Sequence, residues 1–415
     1  MSSKETVVEM TRKTLETCES NALLRLKATA FTRHRSLGAK NLLYILLHRL
    51  ASSLQLAIDT FYDFAQVRTV SKQAFSKARA NLNPEFVRKF ADGIAEIHAR
   101  DSSAPTYRGM RLIAIDGTDI ALENSQELKE TFGCSGPKKD AATALGSLAY
   151  GPLDQAIYDC QLASYATDER DLAKKHMERL LELGLGGSLL LFDRWYPSKE
   201  FIAYALDKGF SFVMRVREKW NLQVDAVKTQ NWVSFSHKGQ EYRVRVLKVA
   251  LPNGETETLL TNFNQKQLPI RCASQLYFKR WGIETAYDAL KSKLQLENFS
   301  GRTEVSVLQD FYATVYLAGF AAICAAEANE IIAGNDAGKK LKYCRKANLN
   351  RTIAKLRNLF WQILMEADPV IRNALLNRLC RDIAARPEPI RPNRSPARKL
   401  PRRKRFYMSK KAVLP

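Results

Sequence analysis

The chain opens with apolar spacing of helical period. Leu42, Leu43, Ile45, Leu46, Leu47 and Leu50 crowd together densely enough for one buried helix, inside a helical region that runs from residue 1 to about 105. The segment Val70-Ser-Lys-Gln-Ala-Phe-Ser-Lys-Ala-Arg79 predicts a short helix capped by Ser71 and carrying Lys72, Gln73, Ser76, Lys77 and Arg79. A short basic helix after a helix and a turn suits reading of a DNA major groove; a solvated basic face accounts for the same residues.

From Arg111 the texture changes. Leu112-Ile-Ala-Ile-Asp116-Gly-Thr is a short apolar run ending in a carboxylate and a glycine. Segments near 144–150 and 156–164 read as strands, and Asp168 to Leu183 as an amphipathic helix with Thr167 or Asp168 as its cap. Ser188-Leu-Leu-Leu-Phe-Asp193 has four consecutive apolar residues, the pattern of a central strand buried on both faces. A helix follows from Ser198 to Asp207, which makes the unit α/β. Residues 210–263 alternate like strands around the turn signal Pro252-Asn-Gly254, a β-rich insertion. Thereafter the pattern is helical to about residue 380. Its apolar run, Phe311 to Ala326, is short and Ala-rich and reads as a buried helix rather than a membrane span. From Arg381 the chain turns Pro- and Arg-rich, with Leu400-Pro-Arg-Arg-Lys-Arg-Phe406 its most basic stretch, and predicts a disordered tail that either binds DNA without sequence preference or merely solubilises.

Charge narrows the partners. The 415 residues carry 65 Lys and Arg against 43 Asp and Glu, a formal net charge of +22, so a polyanion is expected. Charge alone does not choose between DNA, RNA and an anionic membrane, or separate an enzyme from a passive binder. The seven cysteines are scattered without a Cys-x-x-Cys pair, which argues against structural zinc and for reduced thiols in a cytoplasmic protein. The start, Met-Ser-Ser-Lys-Glu, does not read as a signal peptide. No Gly-x-Ser-x-Gly elbow or Gly-Lys-Ser/Thr phosphate loop occurs.

Candidate chemistry lies in three acids. On a helix from Ser274 to Leu294, Tyr277, Arg280, Glu284 and Lys291 fall within an arc of about 60°, with Trp281 and Asp288 at its border. Leu276, Ile283, Ala286, Leu290 and Leu294 form the adjoining apolar face. A solvated face with Glu284–Lys291 pairing competes, but it would not usually concentrate Tyr, Trp and Arg. Asp116 and Asp193 each end an apolar strand, where α/β sheets gather ligand-binding groups. If Glu284 joins them, three hard oxygen ligands select Mg²⁺, with Mn²⁺ able to substitute, and two such ions serve phosphoryl transfer. Asp119 competes with Asp116; its odd offset along a strand sends it to the other face.

These residues also carry a resemblance. Tyr277-x2-Arg280-x3-Glu284-x6-Lys291 resembles the signature of the insertion sequence four family of DDE transposases. Ile115-Asp-Gly-Thr118 and Phe192-Asp-Arg-x-Tyr-Pro-Ser198 are similar to its first and second acidic motifs, and Phe31-Thr-Arg-His-Arg-Ser-Leu37 and Val70–Arg79 to its N-terminal part, so that residues from about 30 to 330 are covered. The resemblance implies a ribonuclease-H-like catalytic core with a β-rich insertion, flanked by N-terminal and C-terminal helical regions. The expected division is 1–105, helical and DNA-binding; 106–302, catalytic, with the insertion at about 213–263; 303–380, helical; and 381–415, the basic tail. It implies cutting at terminal inverted repeats and joining of the 3′-hydroxyl to target DNA. Asp116, Asp193 and Glu284 would hold the metal; Tyr277, Arg280 and Lys291 would contact double-stranded DNA at the element's end. A homodimer on paired ends, in the bacterial cytoplasm at the nucleoid and without membrane, is expected. Some relatives extrude a base onto an aromatic, for which Trp220 and Trp232 are candidates. Trp195 stands where the pattern has glycine, which either alters the local backbone or adds a stacking surface. Two other readings are an inactive transposase-derived DNA-binding protein and a non-transposing nuclease of the same fold.

Overall fold

The computed structural model describes residues 1–32, 36–48, 53–138, 140–251 and 254–391. Parts of several expected features lie outside these residues: Arg33-His-Arg35, Leu50, Pro252-Asn253 and the Leu400–Phe406 stretch. The chain folds into two compact units, each gathered from separated segments. One comprises the described residues of Met1–His98, Ile120–Ala144 and Asp288–Pro415; the other comprises Ala99–Asp119 and Leu145–Tyr287.

The first unit is helical. Its helices include Ser3–Glu16, Ala39–His48, Leu54–Ala65, Lys72–Arg79, Glu304–Asp336, Leu349–Met365 and Pro369–Ala384. Glu304–Asp336 is apolar on all sides and is the axis of the unit, packed by Ser3–Glu16, Ala39–His48 and the two helices after it. It is the one described helix long and apolar enough to cross a membrane, but most of its apolar stretch is buried against these neighbours. Residues 392–415 of the tail expected from Arg381 lie outside the described residues, but its first residues are structured: Pro369–Ala384 is helical, and Glu388–Pro389 pairs antiparallel with Arg345–Lys346. Pro- and Arg-rich composition concealed this, because Leu376, Leu379, Cys380 and Ile383 still supply a buried helical stripe.

The second unit is built on most of a mixed sheet, nine-stranded among the described residues. The strands of that sheet are β1 (Leu112–Ala121), β2 (Cys134–Ser135), β3 (Ala141–Tyr150), β4 (Ile157–Ser164), β5 (Leu189–Phe192), β6 (Ser211–Val216), β7 (Gln230–His237), β8 (Gln240–Ala250) and β9 (Thr256–Thr261). β1, β3 and the helix Pro84–Arg100 run from one unit into the other; β2 lies in the first and pairs with the start of β3. The order is β3-β1-β5-β6-β9-β8-β7, with β4 on the outer side of β3. β1, β5 and β6 are parallel, and the helix Lys199–Asp207 makes the crossover from β5 to β6. β5 is buried at every residue, as four apolar residues in a row require of a central strand. Ile113, Ile115, Leu190, Phe192, Phe201, Phe212 and Met214 are part of the core below it. The expected insertion begins later than residue 213. β6 is in parallel register with β5 from Ser211, and only β7, β8 and β9 form the antiparallel extension. Alternation of residue type could not tell these two strand kinds apart.

Candidate active site

Sheet register brings the first two acids together. β1 and β5 pair from Leu112↔Leu189 to Ile115↔Phe192, and the next residue on each strand is Asp116 or Asp193. Neighbouring strands lie about 4.8 Å apart, so the two carboxylates stand side by side where the parallel pairing ends. Asp193 follows the last residue of β5, but Asp116, expected at a strand end, is in mid-strand, because β1 continues to Ala121. Asp116 is half-buried, while Asp119 on the same strand is exposed. Burial pushes the Asp116 carboxyl up to about 7; the charges of Glu169 and Asp193 add to this and Arg280 opposes it.

The third acid arrives on a helical segment that is longer and less regular than spacing predicts. It starts at Ile270, tightens at Lys279–Trp281, continues as α-helix over Gly282–Asp288 and widens at Ala289–Lys293. Gly282 lets it approach closely: a Cβ there would stand 2.8 Å from Pro152 Cβ. Leu276, Ile283, Leu290 and Leu294 are buried as the apolar face, with Ala286 half-buried. Tyr277 and Arg280, expected on an accessible stripe, are buried as well. Arg280 faces the acids. Its Nη1 donates to Asp116 Oδ2 at 3.0 Å and its Nη2 to Glu284 Oε1 at 2.8 Å. Burial works against the Arg280 cation, but Tyr277, Asp116 and Glu284 hold it charged, above its ordinary range. One guanidinium therefore joins the first acid to the third. The Tyr277 hydroxyl and Arg280 Nε are buried with no hydrogen-bond partner among the described residues. Lys291 belongs to the first unit, where its ammonium lies 3.6 Å from Glu297.

Spacing did not disclose a fourth acid. Glu169 opens the helix Glu169–Glu182, accepts from the Tyr196 hydroxyl at 3.0 Å, and would stand 2.8 Å from a Cβ at Gly117. Burial raises its pKa, with Asp193 and Asp119 adding. In the sequence it is indistinguishable from an ordinary first-turn acid beside the cap Asp168, whose side chain accepts from Arg170 N. Glu257 is likewise buried, 3.6 Å from the Arg215 guanidinium.

Ser147, His176 and Asp159 have the composition of a nucleophilic triad. His176 Nδ1 donates to Asp159 Oδ2 at 2.6 Å, and Nε2 shares a hydrogen bond with Ser147 Oγ at 2.9 Å. All three are buried, so a substrate cannot reach the hydroxyl.

Aromatic residues around the acids divide by exposure. Trp195 is 58% exposed and the Arg217 guanidinium lies 3.1 Å from its ring centre. Its φ is not positive, so the backbone there does not need glycine. Phe278 and Trp281 are exposed and stacked on one another. Trp220 donates to the Pro197 carbonyl and packs on the core, and Trp232 lies under Arg243.

In the first unit Ser71 caps Lys72–Arg79, accepting from Ala74 N, and Lys72, Gln73, Ser76 and Lys77 are exposed. Arg79 is not available to DNA. It is buried and donates to Gln309 Oε1, Ser300 Oγ, the Ser306 carbonyl and Asp310 Oδ1. Its place in the helix turns it toward Glu304–Asp336, which one-dimensional charge counting could not reveal.

A search among curated proteins finds no match. The family model described as transposase DDE domain matches residues 107–318 and so takes in Asp116, Glu169, Asp193 and Glu284. The match spans just over half of the chain, and this protein belongs to the transposase DDE domain family.

Proposed function

We propose that this transposase is of the insertion sequence four type and that Asp116, Asp193 and Glu284 are its catalytic metal ligands. The observation that carries the reading is the register of β1 and β5, with Asp116 tied to Glu284 through Arg280. The strand order β4-β3-β1-β5-β6 with β7–β9 appended supports a ribonuclease-H-like core carrying a β-rich extension. DDE transposases generally use divalent metal ions. The donor set fits: three carboxylates are hard ligands, and the charges of Glu169 and Asp193, which add to the burial that raises Asp116, are what a cation offsets. Among the described residues no three such side chains are grouped closely enough to enclose an ion, and Arg280 lies between Asp116 and Glu284. Two Mg²⁺ or Mn²⁺ ions, when bound, supply activation of a water or 3′-hydroxyl and stabilisation of the leaving oxygen.

The chain's own groups have separate tasks. Asp116 and Asp193 present oxygens from one rigid sheet edge, and Glu284 brings its own from a helix. Arg280 is the internal counter-ion of Asp116 and Glu284, and with those acids holding cations its guanidinium would be free to meet a DNA phosphate. Tyr277 Oη and Arg280 Nε have no partner among the described residues and are buried, so they would meet that phosphate only with the rearrangement that frees Arg280 from the acids. Lys291 contacts the DNA backbone further along. Trp195, with Phe278 and Trp281, offers exposed rings for an unstacked base, better placed than Trp220. The reaction is cutting at terminal inverted repeats and joining of the 3′-hydroxyl to target DNA, by a homodimer on paired ends.

A mobility assay tests this. The gene, with its native flanking DNA and a resistance marker, is placed on a plasmid that cannot replicate in the bacterial host. Wild type is expected to give chromosomal insertions, and Asp116→Asn, Asp193→Asn and Glu284→Gln to reduce them to background. Insertions undiminished in Glu284→Gln would remove that residue from the site. Specific binding of the ends without insertion by wild type would favour an inactive DNA-binding descendant, and cleavage without joining a nuclease.

A further inference from the structure

The Asp116 carboxylate is fixed through its own peptide unit. Its Oδ1 accepts from the N–H of Gly117 at 3.0 Å, and the same peptide's carbonyl, that of Asp116, accepts from two side chains. Tyr287 Oη donates to it at 2.7 Å and Ser147 Oγ at 3.3 Å. Pairing of β1 with β5 ends one residue earlier, at Ile115↔Phe192, so that ladder does not orient this peptide. The two hydroxyls hold its carbonyl from outside that ladder. Ser147 is itself held by the buried His176–Asp159 pair. Tyr287 is buried and lies three residues after Glu284 on the same α-helical stretch, Gly282–Asp288. At about 100° per residue it stands roughly one turn from Glu284, on the flank that meets β1.

We propose that Tyr287 is a positioning residue for the metal site. By gripping the Asp116 carbonyl it sets the plane of the 116–117 peptide, hence the Asp116 carboxylate, and at the same time the distance from Asp116 to Glu284. Ser147 is its partner in this and acts from the sheet side. Arg280 maintains the separation of the two acids only while it lies between them; Tyr287 maintains it when Arg280 turns away, because its bond is to the backbone and leaves both carboxylates open. The inference rests on Asp116 being a metal ligand.

The test is calorimetric titration of the full-length protein with Mn²⁺ alone, at a temperature well below unfolding, for wild type, Tyr287→Phe, Ser147→Ala and Asp116→Asn. Residues that orient a metal ligand typically govern affinity by about 10- to 100-fold. Tyr287→Phe is expected to weaken Mn²⁺ binding by about tenfold, and Ser147→Ala, whose bond is longer, by less. The half-saturating Mn²⁺ for DNA cleavage should rise in parallel, with DNA binding unchanged and maximal cleavage recovered at high Mn²⁺. A Tyr287→Phe protein that unfolds more readily but binds Mn²⁺ as wild type does would overturn the proposal, because a merely structural hydroxyl has that signature. If Tyr287→Phe does not fold, Ser147→Ala decides, and unchanged affinity there is equally fatal. Mn²⁺ binding unchanged in Asp116→Asn would instead remove Asp116 from the site, taking the proposal with it; loss in Asp116→Asn with Tyr287→Phe unaffected would remove only the proposal.

Discussion

The His48 ring is 4% exposed, lies 4.1 Å from the Trp361 ring centre to centre, and has Nε2 at 2.9 Å from the Arg357 carbonyl. Burial lowers its pKa from 6.5 to about 4. The folded state therefore binds fewer protons here than the unfolded chain between those two values. Stability tied to the neutral ring is fully present above pH 6.5 and is lost as pH falls toward 4, by at most about 3 kcal/mol. Urea midpoints of wild type should fall between pH 7 and pH 5, and His48→Phe should flatten that fall; an equal fall in both proteins would assign it to other groups. The same scale shows what a sequence discloses about a site. Asp116 and Asp193 stand out in the sequence because each follows an apolar run, and Glu284 because its spacing from Tyr277 and Arg280 resembles a family signature; that β1 continues past Asp116 to Ala121 is not visible there. What Arg280 faces is not legible, since a cation beside an acid on a helix reads equally as a phosphate contact or a counter-ion. Glu169 and Tyr287 are silent for a related reason: one looks like a helix-start acid and the other like a core aromatic.

Whole elements are legible where one period persists and obscure where it changes. β5 and the helices Glu169–Glu182 and Lys199–Asp207 follow their apolar spacing within a residue or two of expectation. The Glu284 segment does not, because a tight turn at Lys279–Trp281 and a wide one at Ala289–Lys293 break the 100° step that a helical wheel assumes. The wheel thus grouped Lys291, which itself lies in the wide turn, with residues of the segments before it. The basic helix Lys72–Arg79 gives a sharper case, with one side solvated and the other tied down. Arg79 and Asp310 are both buried and 3.1 Å apart. Replacing Arg79 with alanine leaves the Asp310 charge uncompensated inside the helical unit, a cost of about 3–5 kcal/mol. Lys77 is exposed, and Lys77→Ala should alter stability by no more than about 0.5 kcal/mol. Chemical denaturation of the two variants separates these roles: comparable midpoints would mean that Arg79 carries no structural load and belongs with the DNA-facing residues.

At the scale of the molecule, the linear series of regions suggested by composition does not show which segments share a core. Each compact unit is assembled from stretches far apart in the chain, and contiguity in sequence is the one thing hydrophobic patterning reports. Charge distribution is more readable. Residues 392–415 contain nine Lys and Arg and no acid, a large share of the +22 net charge. They follow the Arg345–Lys346 and Glu388–Pro389 pairing, near in sequence to the exposed Arg386 and Arg391, while Lys339, Lys340 and Lys342 are exposed in the segment leading to Arg345. Ending the chain at Arg391 keeps that pairing and removes only the basic extension. Each phosphate neutralised contributes about 0.9 to the slope of log affinity against log salt, so removal of nine cations can flatten the slope by at most about eight. Affinity for random duplex DNA should fall steeply at low salt and little at high salt. End recognition is proposed above for Tyr277, Arg280 and Lys291, which the truncation leaves in place, so the ratio of end to random affinity should rise. Fluorescence anisotropy over a salt series on both DNAs measures this. A truncated chain that loses end binding more than random binding would place the extension in specific recognition instead, and an unchanged slope would mean that its cations never reach phosphate.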